Sequence, residues 1–196
     1  MNQPASPEID TSEIANRAGI YEFLARIIVS EMDLGFLTLM QQVEFSGALA
    51  NLAISAPEAT EPSIELLAID YCRIFIGPTD QVPPFQSVWA DQQLHGDCTT
   101  SMSEYLEITG ISPGDSMMND HFGLQLMVLS RILLASSQSE QPKEYEPLAA
   151  AFFIEHIRWA KPMLRAAAER AERDFYKSVC TAAAEFIAEE ETLFIG

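Results

Sequence analysis

The chain is 196 residues long and 48% hydrophobic with only 9 glycines, which suits one folded domain and argues against wholesale disorder. Eleven Lys and Arg stand against 29 Asp and Glu, a net charge of -18 that repels nucleic acid and anionic lipid and favours cationic ligands or peptides. The same excess also serves solubility, so charge alone names no partner.

Residues 1–10 are polar, carry two prolines and read as a loose N-terminal arm, leaving 11–196 as one all-helical domain. The arm lacks a basic stretch followed by an apolar one, and no apolar run reaches the ~18 residues of a membrane span. The expected location is therefore the cytoplasm, without stable membrane insertion. Cys72, Cys98 and Cys180 lie far apart with no C-x-x-C spacing, which fits a reducing compartment and neither a disulfide framework nor a structural zinc site.

Asp10 or Thr11 can cap a first helix over about 11–31, where Ile14, Ala18, Tyr21, Leu24 and Ile28 recur at helical spacing. A second apolar helix is predicted over about 34–54. After the interruption "SAPEATEP", a third starts near Pro62, a residue tolerated in a first turn, and stops at Gly77. The following stretch, "YCRIFIGPTDQVPPFQSVWADQ" over 71–92, sets aromatics and three prolines between helical segments. Ser101 and Glu104 fit a capping box and Gly110 a helix stop, giving a short helix over about 101–109. Asn119 or Asp120 opens "HFGLQLMVLSRILLAS", apolar nearly all round and so central. The polar "SSQSEQPKE" over 136–144 reads as a linker or hinge. The Ala-rich last third is helical, broken at Pro162 and again near Asp174. No segment alternates long enough to be a strand, so the class is all-α.

Signatures of common enzymes are missing: there is no phosphate loop, no dinucleotide glycine motif and no nucleophile elbow. His95, His121 and His156 form no ligand-spaced cluster, and neither a metal nor a cofactor is expected. Asp120 and His121 open the most apolar helix. The residues favour a structural role, with Asp120 capping free amides and His121 bonding across to another loop. A hydrolase using the pair with a metal or nucleotide stays as an alternative. The Pro-rich loop can shape a connection, with Phe85, Val88 and Trp89 folded onto the core. Its stiffness and aromatics also suit an apolar peptide, and on so acidic a molecule an apolar and basic one.

With these residues in view, "YCRIFIGPTDQVPPFQSVWADQ" resembles a signature of the TorD/DmsD family of redox-enzyme maturation chaperones: aromatic-x-x-Leu-Phe-x-Gly, a gap, then Pro-Pro-aromatic-x-Ser-Val-aromatic. "NDHFGLQLMVLSRIL" is similar to the family's Asp-His pair opening an apolar helix, "FFIEHIRWAKPML" to its His-x-x-Trp-x-Pro segment through His156, Trp159 and Pro162, and "DFYKSV" also fits. Ile74 replaces the common Leu, the lead-in "SMMNDH" lacks the usual Glu and Pro, and Gln125 stands where Glu is frequent.

The resemblance implies a chaperone and not an enzyme. It would bind the twin-arginine leader and the apo-form of a molybdenum-cofactor oxidoreductase, aid cofactor insertion and prevent premature export. It implies a monomer or a domain-swapped dimer, and a delta-type assembly chaperone for a non-exported or membrane-bound metalloenzyme is the related alternative. The implied peptide-binding residues are Tyr71, Ile74, Phe75, Gly77, Pro83, Pro84, Phe85, Ser87, Trp89, Asp120 and His121.

Overall fold

The structure, a computed structural model, describes residues 10–42, 52, 54, 56–90, 92, 94, 96–114 and 117–195. Helix α1 (Thr11–Val29) begins where the Asp10 carboxylate accepts hydrogen bonds from the amides of Ser12 and Glu13. It presents Tyr21, Leu24 and Ile28, each fully buried, to the interior. Helix α2 is described over Leu34–Gln42; of the expected second helix, positions 52 and 54 are irregular and 43–51 lie outside the described residues, as does the expected arm over 1–9.

Helix α3 (Glu61–Tyr71) is capped by Thr60, carries Pro62 in its first turn and runs on as a π-turn over Cys72–Ile76. There the Gly77 amide reaches back five residues to the Cys72 carbonyl at 2.6 Å and the helix stops, at the glycine expected to stop it. A Cβ at Gly77 would lie 3.3 Å from that carbonyl oxygen, so the glycine allows the chain to turn close against its own helix end.

Two short-range expectations are corrected. Residues 86–90, read as loop, form helix α4 (Gln86–Ala90). Helix α5 (Asp97–Thr109) starts at Gly96, several residues before the proposed capping box, and the Ser101 hydroxyl bonds to the Glu155 side chain instead. Gly110 closes α5 in the left-handed region at φ 67, as expected.

Helix α6 (Phe122–Ser137) is buried on nearly every face and is the axis of the fold. It lies along α1, where Ser130 donates to the Ala18 carbonyl at 2.9 Å, and a side chain at Gly123 would collide with Val29. The expected hinge is short and folded back: Ser136 is buried and donates to the Pro142 carbonyl, where a 3-10 turn (Pro142–Tyr145) leads into α7 (Glu146–Phe152). A π-turn over Phe153–Ile157 follows, and the chain bends ahead of α8 (Ala160–Arg170), so Pro162 sits in a first turn and the break precedes it. Helix α9 (Asp174–Ile195) packs on α8 and on α1, where the Tyr21 and Phe186 rings lie 5.1 Å apart.

The described residues contain no strand, only the single bridge pair Phe85 and His121, and the fold is all-α as expected. No described helix is long and apolar enough to cross a membrane.

Candidate functional site

The Pro-rich loop and the Asp-His pair meet. The Val82 amide returns to the Ile74 carbonyl at 2.7 Å, which folds the loop back over the π-turn. The chain then runs beside the start of α6 for three residues: the Phe122 amide donates to the Pro84 carbonyl at 2.7 Å, and the Gln86 amide to the Asp120 carbonyl at 3.1 Å. Phe85 and His121 form the antiparallel bridge between these bonds, with their rings edge to face at 5.3 Å.

Asp120 and His121 divide the capping work in a way the sequence did not suggest. His121, not Asp120, caps α6, its Nδ1 accepting from the Gly123 amide at 3.1 Å. Burial holds the His121 imidazole down at about 4 against the opposing pull of Asp120. The ring is therefore neutral near pH 7, with its proton on Nε2 because Nδ1 accepts. Asp120 is fully buried and caps α4, its Oδ2 accepting from the Ser87 amide at 2.9 Å. Asp120 Oδ1 and the Ser87 hydroxyl, both buried, have no hydrogen-bond partner among the described residues.

Behind the junction is a polar network inside the core. Gln86 Nε2 donates to the Glu155 carbonyl at 2.7 Å, which orients the amide so that Gln86 Oε1 accepts from Gln125 Nε2 and from His156 Nδ1. Gln125 Oε1 in turn accepts from the Trp159 indole at 2.9 Å. His156 is fully buried between Tyr105 and Phe152, with Nε2 facing Ser101 Oγ at 3.1 Å, and burial pushes it down to about 4. The loop, α5, α6 and the π-turn before α8 are thus joined by a chain of side-chain hydrogen bonds that passes through the core.

Gly77, Pro83, Pro84, Phe85, Ser87, Trp89, Asp120 and His121 all belong to this junction or the loop that leads to it. Tyr71, Ile74 and Phe75 do not offer a surface: each is at most 5% exposed and packs in the core, and the Tyr71 hydroxyl donates to the Ile28 carbonyl. Trp89 is half-buried against the core edge, its indole donating to the Pro83 carbonyl at 2.8 Å. Phe85 is half-buried and lies on His121. Asp120, one of the implied peptide-binding residues, has no exposure.

Gln86 was not singled out from the sequence, although it links the network. One signal was present, since Gln125 is the only amide side chain in the apolar run of α6 and needed a buried partner. Among the described residues no group of three His, Cys, Asp or Glu could hold a metal ion, and His95 lies outside them. Cys72, Cys98 and Cys180 form no disulfide.

An all-α core with a Pro-rich loop locked to an Asp-His helix start, and with His121 and His156 committed to buried hydrogen bonds, defines a helical scaffold. The model of the family described as nitrate reductase delta subunit matches residues 41–165, and the chain belongs to this family. It is accordingly a redox-enzyme maturation chaperone of the TorD/DmsD type and not an enzyme. The fold is similar to the crystal structure of a candidate redox enzyme maturation protein from Archaeoglobus fulgidus, at 18% identity and a TM-score of 0.53, covering 95% of this chain and 99% of that one. No curated protein matches the sequence.

Proposed function

We propose that the chain binds the twin-arginine leader of a molybdenum-cofactor oxidoreductase, holds the apoenzyme while its cofactor is inserted, and so delays export. The observation that carries this reading is the junction itself, where two separate sequence motifs form one rigid edge that presents Phe85 and Trp89, half-buried, on a molecule of charge -18. A leader has a basic head and an apolar stretch. Its apolar stretch would lie against Phe85 and Trp89, and its arginines would be drawn by the acidic field. Because the edge is held by main-chain bonds before any ligand arrives, little conformational freedom is lost on binding. The work is done in the cytoplasm by stoichiometric binding.

Calorimetric titration of the full chain with a synthetic twin-arginine leader from the same genome tests this. Binding at about 1 µM or tighter that weakens with salt supports the reading, and no binding to any such leader overturns it. The family's description favours a second reading, a delta-type assembly chaperone for a membrane-bound metalloenzyme that is not exported. Capture of the partner from the native host separates the two, since only the first predicts a partner carrying a leader.

A further inference from the structure

On the side of the molecule formed by α1 and α9, a trough of about 770 Å³ runs between the two helices. Its lining mixes polar and apolar groups: Ile20, Ala182 and Phe186 show only their edges, at most 8% exposed, and Leu193, 61% exposed, is its main apolar surface. Along it, Arg17 grips Glu190 through Nε at 2.8 Å, and the Tyr21 hydroxyl also donates to Glu190, so these charges offset each other. A second depression of about 360 Å³ continues the trough past Arg17 and Leu193.

The rim is different. Glu13, Asp174, Glu185 and Glu189 are exposed, and none makes an ion pair among the described residues. Lys177 on the trough wall and Arg165 across the ridge on α8 form no ion pair with these groups, and Arg17 is taken up by Glu190. Glu185 and Glu189 lie four residues apart on one face, an arrangement in which like charges repel. They also stand in the C-terminal half of α9, whose last turn has no basic residue although the helix dipole favours cations there.

We propose that this trough is a second docking surface, and that its occupant is a basic amphipathic helix of a partner protein. Such a helix would set its apolar face on Phe186 and Leu193 and its lysines or arginines against Glu13, Glu185 and Glu189. Charge selects this occupant over the others. The chain's own first nine residues, "MNQPASPEI", carry one acidic and no basic side chain, and so does "VEFSGALAN" over 43–51. A second copy would bring another net charge of -18. The inference is independent of the leader reading, because it uses a different face and needs no arginine pair.

The probe is a fluorescent peptide of about 18 residues, roughly five helical turns, with leucines on one face, lysines on the other and no adjacent arginines. Anisotropy with the full chain is expected to show saturable binding, at least about tenfold tighter than a scramble of the same composition. Glu185→Lys with Glu189→Lys should weaken it about tenfold or more, whereas Glu104→Lys with Glu107→Lys, equal in charge on exposed positions of α5, should leave it within about twofold. Phe85→Ala should leave it unchanged. Equal loss with both charge reversals, or equal binding of the scramble, overturns the proposal as a non-specific effect of net charge. A photo-crosslinker at exposed Thr181, which lines the trough, should capture the peptide. Capture of residues 1–9 or of a second copy despite excess peptide also overturns it. A protein that binds this probe but no leader keeps the trough and loses the leader reading, and the converse holds as well.

Discussion

Two edges of the molecule are rich in polar residues and treat them in opposite ways. At the junction of the Pro-rich loop with α6, the polar groups are inside: Asp120, His121, His156, Gln86 and Gln125 are all buried, and the histidines are neutral. Between α1 and α9 the one buried charge is matched by Arg17, and the remaining carboxylates face water. Burial favours hydrogen-bonded groups and tolerates a charge best with its partner, and at the junction Asp120 Oδ1 and the Ser87 hydroxyl stand out as buried atoms without one among the described residues. The motif residues thus fix a shape, while the exposed acids lie on surfaces that no motif names.

The largest effect should come from removing the partner of the buried charge. Arg17→Met leaves Glu190 inside with only the Tyr21 hydroxyl, and the expected loss is about 3 kcal/mol, read as a lower urea midpoint. Glu190→Gln in the same background should restore part of it, since the amide carries no charge. If Arg17→Met alone costs nothing, the pairing is not what seats α9 on α1.

The junction should answer to pH instead. Burial lowers His121 and His156 to about 4 in the fold from an ordinary value of 6.5. Each group therefore stabilises the fold fully above 6.5, and that contribution declines as pH falls from about 6.5 to about 4, by on the order of 3 kcal/mol apiece. Asp70, whose carboxyl is raised chiefly by burial, works in the opposite direction. The denaturation midpoint should be flat between pH 7 and 8, fall below about 6.5, and fall less steeply in His156→Gln. An unchanged slope in that variant would show that the histidine is not the buried neutral group described.

How far these regions could be read beforehand follows from the range of the forces involved. Helices α1, α3 and α6 and the stops at Gly77 and Gly110 were legible because period, cap and stop are local. Helix α4 was not: five residues cannot show a period, and its N-terminal amide is capped by Asp120, 33 residues away. The early start of α5 was missed because its cap, Gly96, has no side chain, while Ser101 and Glu104 imitate a capping box. In the site, the motif residues were legible as a set, but their directions were not. The spacing of Leu67, Tyr71, Ile74 and Phe75 is that of one helix face, which reads alike whether it meets a ligand or, as here, the core.

Asp120 separates the two roles that its motif allows. Asp120→Ala strands the Ser87 amide and opens a void, so a loss of about 1–3 kcal/mol is expected, whereas Asp120→Asn keeps an oxygen acceptor and should lose less. Leader affinity, measured well below the unfolding transition, should change little in either variant, because the carboxylate has no exposure. A large loss of affinity in a stably folded Asp120→Asn would mean that the ligand opens the junction and reaches that side chain.

Phe85→Ala should give the smallest change in stability and the clearest change in binding. The ring is half-buried, lies on His121 and is not part of the core cluster, and the bridge to His121 is made by main chain that alanine retains. The expected stability loss is under about 1 kcal/mol, with far-ultraviolet circular dichroism unchanged. Leader affinity should fall about tenfold or more, because an aromatic anchor on a rigid edge typically carries a large share of binding energy. Tyr71→Phe gives the contrast. It removes only a hydroxyl bonded to the Ile28 carbonyl inside the fold, so it should cost about 1 kcal/mol of stability and leave leader affinity alone. If the two variants reverse, with Tyr71→Phe weakening the leader and Phe85→Ala weakening only the fold, the ligand approaches from the core side of the π-turn, and the exposed edge is merely its outer wall.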